Sequence, residues 1–173
     1  MDISGFLRRA AAAAGVACSI AYASAGAAQS ASPSPAHFRA IKVDVEPLAR
    51  SVGDPTATWM AQALPGRLQA AFANRLAPGD RSAPILVVRI DSVFLGESGN
   101  GIGDATGADR ARDNIVGAAL VVAPNGRAVA TYPVFNVLYN YTGGSNYEVG
   151  TEQRRIGELA ASVAYWLPGQ MGH

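Results

Sequence analysis

The sequence predicts an α+β fold: a four-stranded, mostly antiparallel sheet with two helices packed on one face, in the order β-α-β-β-β-α. Two kinds of periodicity carry this prediction. Apolar residues that alternate with polar ones are typical of half-buried strands, whereas apolar residues three or four positions apart are typical of helices. Downstream of an alanine-rich N-terminal segment, strand and helix patterns follow one another in that order, without an internal repeat.

Residues 38–45 alternate between apolar and polar side chains, which predicts the first strand. Asp54-Pro55 is typical of a helix start, with Asp54 as the N-cap and Pro55 as the first helical residue. Apolar residues then recur at helical spacing as far as residue 76. Because proline lacks an N–H group, Pro65 predicts either a kink in this helix or a break into two.

Three strands are predicted next. Residues 84–95 form the first of them, and its apolar face carries Leu86, Val88, Ile90 and Phe94. Residues 115–123 are apolar on both faces, as is typical of a central strand.

Asn125-Gly126 then predicts a tight type I′ hairpin turn, since both residues tolerate positive φ. The chain returns over residues 127–141, where Pro133 indicates a bulge or an edge strand.

The last helix has an apolar stripe that includes Ile156, Leu159 and Val163, whereas Arg155 lies off that stripe. Ser145 and Glu148 upstream of it have the spacing of a capping box. Pro168-Gly169 is expected to end the helix.

The first 28 residues have the three parts of an export signal. Arg8 and Arg9 form a short basic region, an apolar run follows, and small residues around Ala25 and Ala27 suit signal peptidase. The apolar run is too short for a transmembrane helix, which needs about 20 residues. We therefore predict an exported, periplasmic product with no transmembrane segment.

Cys18 leaves a second processing route open. The stretch GVAC resembles a lipobox, whose cysteine becomes the lipidated first residue, although lipoboxes usually have leucine where this chain has Gly15. The alternative to a diffusible product is therefore a membrane-anchored lipoprotein. Residues 29–37 are predicted to be a flexible linker, residues 38–168 a single α+β domain, and residues 169–173 a C-terminal tail.

Composition argues against several classes of function. Asp2, Arg8 and Arg9 leave with the signal, so that 14 basic and 13 acidic side chains become 12 and 12. A neutral domain has no general electrostatic attraction for nucleic acid. The single cysteine lies in the signal, and the two histidines, His37 and His173, lie in the linker and at the last position. Neither a catalytic triad nor a histidine-rich zinc site is expected.

A long glycine-rich segment connects two of the predicted strands. Its glycines lack dinucleotide-binding spacing, and a strand rather than a helix follows it. Asn100, Asp104 and Asp109 offer oxygen ligands to a cation, and Asp113 adds a carboxylate, but their spacing is not that of an EF-hand. We predict a solvated hairpin loop that is a candidate partner-contact surface, because long loops are often functional. A cation-binding secreted module is an alternative.

Aromatic residues cluster around the end of the last strand. Tyr139 and Tyr141 share a predicted strand face with Phe135, and Tyr147 follows. Packing in the core is the favoured interpretation. If they are exposed near Trp59, they would form a binding platform for a lipid, a glycan or a protein.

Two acidic residues of the first predicted strand raise the alternative of a small secreted hydrolase. Asp44 and Glu46 would lie about 7 Å apart on one strand face, within the range of a glycosidase pair. A solvated face beside Lys42 is the favoured interpretation. Arg89 and Asp91 are predicted to form a cross-strand charge pair.

This order of elements in an exported chain resembles small bacterial envelope domains: the LptE-like LPS-assembly lipoproteins, the ABC-transporter auxiliary lipoproteins and the amino-terminal domain of TolB. The resemblance covers most of the processed chain and is carried by the strand at 41–45, the helix with Trp59, the strand ILVVRIDSVF, the Asn125-Gly126 hairpin and the final Tyr165-Trp166-Leu167. It implies a non-catalytic binding or assembly role in the cell envelope, without a cofactor. The partner would be an envelope protein, a lipid or a glycan.

Overall fold

A computed structural model describes residue 35 and residues 37–96, 112–139 and 150–172. Its elements are β1 (Ala40–Asp44), α1 (Glu46–Val52), α2 (Thr56–Ala71), β2 (Ile85–Phe94), β3 (Arg112–Val122), β4 (Ala128–Tyr139) and α3 (Thr151–Gln170), with a short 3-10 helix at Ala73–Arg75. The predicted α+β class and four-stranded sheet are confirmed.

The sheet is mixed, with the strand order β1-β2-β3-β4. β1 and β2 are parallel, because the chain crosses over through α1 and α2 between them. β2, β3 and β4 form an antiparallel meander. We call the end of the sheet at which β1 and β2 begin the proximal end. At the opposite, distal end, β2 ends, β3 begins and β4 ends.

The three helices pack on one face of the sheet and close a single core. Strand residues at every second position and helix residues at three- and four-residue spacing meet there, as the periodicity predicts. The fully buried members include Leu48, Met60, Leu64, Leu68, Leu86, Val88, Ile90, Ile115, Ala119, Val121, Ile156, Leu159, Val163 and Leu167. We call the other side of the sheet the outer face; no helix of the described residues covers it.

α1 is a third helix where two were predicted. β1 ends at Asp44, whose Oδ1 accepts a hydrogen bond of 3.0 Å from the N–H of Glu46, the first residue of α1. Pro47 lies in the first turn, where a missing N–H has no intrahelical partner to lose. Leu48 is fully buried. The predicted strand extended through Val45, and this bound was wrong. The alternating pattern does not continue as a strand, because the helix that begins at Glu46 buries Leu48 in the core.

The predicted cap of α2 was also wrong. Pro55 precedes the first helical residue, and Asp54 Oδ1 accepts a 2.7 Å hydrogen bond from the Thr58 hydroxyl instead of capping a backbone N–H. The helix continues through Pro65 without a break.

α3 likewise continues past Pro168 to Gln170. The predicted end at Pro168-Gly169 was wrong, since the continuing turn buries Met171.

A β-bulge reverses the faces at the distal end of β2. The register shifts by one residue between Ile90 and Ser92, so Asp91 is an extra residue in this strand. A shift of one residue moves every later side chain to the opposite face. Val93 consequently packs in the core, and Phe94 points to the outer face. The prediction that Phe94 lies on the core face was wrong for this reason.

Gly117 of β3 lies opposite Ile90, next to the bulge. A Cβ at this position would lie 2.1 Å from the carbonyl oxygen of Arg89, a backbone atom. The two strands approach each other more closely here than any side chain permits, so glycine is required.

The hairpin between β3 and β4 is confirmed, but its turn type is not. Gly126 has a φ of 81°, and no described residue other than glycine has a positive φ, so Asn125 does not adopt the conformation of a type I′ turn. The N–H of Gly126 donates a hydrogen bond of 2.9 Å to the carbonyl of Ala123. The N–H of Ala123 donates a hydrogen bond of the same length to the carbonyl of Arg127. This pattern fits a three-residue hairpin loop that ends in a left-handed glycine.

Arg75 joins both ends of the described domain at the proximal end. Its guanidinium donates hydrogen bonds to the carbonyl oxygens of Pro35, at 2.6 Å, and Gly172, at 3.1 Å. The same group lies over the rings of Phe38 and Phe72, 5.1 and 5.6 Å from their centroids. One side chain therefore holds the entering chain and the end of α3 together.

Candidate functional site

Four large apolar side chains are exposed on the distal half of the outer face. They come from three neighbouring strands: Phe94 is 59% exposed, Val116 37%, Phe135 63% and Tyr139 47%. Val116 and Phe135 are directly paired across β3 and β4. We call these four residues the open-face patch. A group of exposed apolar side chains on one face is a candidate site of interaction with other molecules.

The patch is bordered by a cation at the distal end. Arg112 pairs with Tyr139 across β3 and β4, and its guanidinium carbon lies 5.4 Å from the centroid of the tyrosine ring. An arginine over an aromatic face contributes about 0.5–1 kcal/mol where the pair is exposed. This contact holds the Tyr139 ring at the margin of the patch.

Toward β1, Arg89 and Asp91 compensate each other's charge on the outer face. Arg89 donates from Nε to Asp91 Oδ1 at 2.7 Å and from Nη2 to Oδ2 at 3.2 Å. These hydrogen bonds, more than the nearby charge of Asp44, raise the pKa of Arg89. The pair lies along one strand, two residues apart at the bulge, so the predicted cross-strand arrangement was wrong.

A buried ion pair supports the distal end of the sheet from the core side. Arg155 of α3 donates from Nε to Asp113 Oδ2 at 2.8 Å and also contacts Oδ1. Its Nη2 donates to the carbonyl of Gly96 at 2.6 Å, and the N–H of Gly96 donates to Asp113 Oδ1 at 3.2 Å. The hydrogen bonds that Arg155 donates to Asp113 are the main cause that raises the pKa of Arg155, so the guanidinium stays protonated.

This ion pair corrects two expectations. Asp113 belongs to β3 and is buried, so it is engaged by Arg155 and is not a free cation ligand. Arg155 is buried although it lies off the apolar stripe of α3. The pair fixes the ends of β2 and β3 against α3, and so positions the strands that carry Phe94 and Val116.

The structure places the predicted contact residues in different surroundings. Tyr139 is part of the open-face patch, together with Phe135, so the favoured interpretation of core packing was wrong for both. Trp59 packs against the core in the helical layer, on the opposite side of the sheet from Tyr139. Asn100, Asp104, Asp109, Tyr141 and Tyr147 lie outside the described residues.

The exposure of Phe94 and Val116 on the outer face was not predicted from the sequence. One signal was present in the sequence: Asp91 and Ser92 are two successive polar residues in a strand whose other residues, apart from Arg89, are apolar. A break of this kind in the alternation is expected at a bulge.

Asp44 and Glu46 do not form a pair on a strand face. Because α1 begins at Glu46, the two side chains belong to different elements. The Glu46 carboxylate lies 3.6 Å from Nη2 of Arg50, and both of these side chains are exposed. The geometry on which the hydrolase alternative depended is absent.

Two further observations concern metal ligands and helix length in the described residues. They contain no group of three or more histidine, cysteine, aspartate or glutamate side chains placed to hold a metal ion. None of their helices combines the length and apolar character that crossing a bilayer requires.

Neither a family model nor a curated protein matches the chain. Similar solved structures include a PelC dodecamer from Paraburkholderia phytofirmans, with 14% identity, a TM-score of 0.45, and coverage of 78% of this chain and 91% of that one. A minor lipoprotein from Acinetobacter baumannii has 12% identity and a TM-score of 0.37, and the similarity covers 75% of this chain and 92% of that one. These similarities are too low to identify a family or a function.

Proposed function

We propose that this chain is an exported, non-catalytic binding domain of the bacterial cell envelope, and that the open-face patch docks an apolar surface of a protein partner. The proposal rests on one observation above all: three strands expose Phe94, Val116, Phe135 and Tyr139 on a face that the described helices leave uncovered. The export signal in the sequence supports the compartment.

The physical chemistry of the patch favours a protein partner. Burial of one aromatic or branched side chain contributes about 1.5–3 kcal/mol. Aromatic residues without nearby uncompensated charge are typical of the centre of protein interfaces, and arginine is common beside them. Arg112 and Tyr139 match this composition, whereas a glycan site would need several polar groups around the ring faces.

The partner can be captured by crosslinking in the envelope. A photo-crosslinking amino acid in place of Val116, in the full chain expressed with its signal in its bacterial host, is expected to give an adduct of one defined protein mass. Adding Phe94→Ser should reduce that adduct about tenfold or more, because the loss of one buried aromatic ring weakens binding by that factor. The exposed position of Phe94 predicts a change below about 0.5 kcal/mol in the free energy of unfolding.

The matched control carries the crosslinker in place of Gln69, which is exposed on α2. Equal adducts at both positions would contradict the proposal. Adducts of lipid or glycan mass at position 116 would replace the protein partner with that ligand.

Processing of the signal decides how the domain is held in the envelope. We expect the intact mass of the soluble product to correspond to an N-terminus within residues 26–29. A product in the membrane fraction that begins at Cys18 and carries acyl mass would instead establish the lipoprotein alternative, with residues 29–37 as part of its tether.

A further inference from the structure

The second edge of β4 is unpaired within the described part of the chain. β4 is twelve residues long, ends the sheet, and contains no charged side chain. Natural sheets normally protect such edges with charges, prolines, bulges or short strands, because an open edge templates pairing with another chain. Its length and lack of charge make β4 a candidate interaction edge.

Features that prevent pairing with another chain are present on the β1 edge and in the first half of β4, but not in its second half. The opposite edge strand, β1, has five residues and carries Lys42 and Asp44. In β4 itself, the register shifts beside Val129, and Pro133 removes one backbone donor. The following stretch VFNVLY, residues 134–139, contains neither a register shift nor a proline. A run of six residues without charge, proline or glycine, most of them β-prone, is typical of segments that pair with another strand.

Exposed aromatic residues flank this edge on both sides of the sheet. Phe135 lies on the outer face. On the helical side, the Asn136 side chain donates a hydrogen bond to the Ser162 hydroxyl, which joins β4 to α3. Tyr165 follows Ser162 by three residues, on the same side of the helix, and is 89% exposed. Both rings would be covered by a chain that extends the sheet.

We propose that residues 134–138 pair antiparallel with the same segment of a second copy of this chain. Antiparallel pairing of identical strands is two-fold symmetric and therefore closes as a dimer. With Asn136 opposite Asn136, Phe135 of one copy lies beside Val137 of the other, and both outer faces stay on one side of an eight-stranded sheet. This contact shares Phe135 with the open-face patch, but it is formed by the edge of β4 and not by the outer face of the sheet.

Charge and area both suit a second copy. An uncharged strand brings no like charges together when it meets itself. Phe135 and Tyr165 expose on the order of 300 Å² of aromatic surface, which is more than a third of the ~800 Å² that each partner of a stable interface buries. Adjacent strand backbone and Leu138 are available for the remainder.

Sedimentation velocity on the product processed from the full chain tests the proposal. The wild-type protein should be a dimer in equilibrium with monomer, and Phe135→Lys and Tyr165→Lys should each raise the dissociation constant at least tenfold. Phe94→Lys is the matched control: it changes the same residue type, equally exposed on the same face, on an inner strand. It should leave the dissociation constant within about twofold of wild type.

Circular dichroism of each variant confirms folding, and Tyr165→Lys keeps the test valid if Phe135→Lys does not fold. Wild-type protein that stays monomeric up to about 1 mM, alone or while a different chain co-purifies with it, overturns the second-copy proposal. Equal weakening by Phe94→Lys and Phe135→Lys also overturns it, since that result assigns self-association to the open face. Slower amide exchange of residues 134–138 in the dimer than in the monomer supports strand pairing.

Discussion

Replacing Arg155 by methionine is expected to lower the free energy of unfolding by about 3–5 kcal/mol. The side chains of Arg155 and Asp113 are only 5% and 3% exposed. Without the guanidinium, the carboxylate of Asp113 remains in the core with the N–H of Gly96 as its hydrogen-bond donor. An uncompensated buried charge is far costlier than the loss of the same contact at the surface. Urea denaturation monitored by circular dichroism measures the effect.

The chain offers a matched control in its other arginine–aspartate pair. Arg89 and Asp91 have similar geometry but are 42% and 37% exposed, so Arg89→Met should cost less than about 1 kcal/mol. Combining Arg155→Met with Asp113→Leu should recover most of the loss, because no buried charge is then left alone. Equal costs for Arg155→Met and Arg89→Met would contradict this account of the distal end.

Gly117→Ala is expected to destabilise the domain by about 3 kcal/mol, at the upper end for overpacking. The added Cβ would lie 2.1 Å from the carbonyl oxygen of Arg89. A backbone oxygen cannot rotate away as a side chain can, so β2 and β3 must separate at the bulge. The shift in thermal midpoint and the denaturant midpoint both report this loss.

Gly157→Ala is the control substitution, and it is expected to increase the stability of the domain where Gly117→Ala decreases it. Gly157 lies inside α3, and the nearest atom to an added Cβ is Nη2 of Arg67, at 4.0 Å. Alanine there should stabilise the helix by about 0.5–1 kcal/mol, since glycine has more conformational freedom to lose on folding. If Gly117→Ala were as well tolerated as Gly157→Ala, the close approach of the two strands would be wrong.

The strand and helix periodicities predicted the sheet, the layer of helices and most of the core, because burial on one face imposes a local pattern. The Asn125-Gly126 pair likewise placed the hairpin correctly. Its turn type escaped prediction because only Gly126 adopts the left-handed conformation, whereas the pair pattern assumes it for both residues. Local signals thus located these elements better than they described their exact backbone geometry.

The candidate site was predicted less well, for reasons that are not local. One extra residue at Asp91 reverses Phe94, and the periodicity of a strand does not record a slip of that kind. Phe135 and Tyr139 were assigned to the core because aromatic residues are usually buried, yet one face of this sheet has no described helix against it. The partnership of Asp113 with Arg155 spans 42 positions and depends on how α3 meets β3.

The two carbonyl groups that accept hydrogen bonds from Arg75 determine which end of the domain is attached to the rest of the chain. The first and last described residues of the domain lie together at the proximal end. Phe94 and Tyr139 lie at the distal end, about the length of the 20-residue helix α3, roughly 30 Å, away. A label or fusion protein attached at Pro35 or Gly172 would therefore lie at the opposite end of the described domain from Phe94 and Tyr139. Immobilisation through either of these two positions would present the same open-face patch to solution.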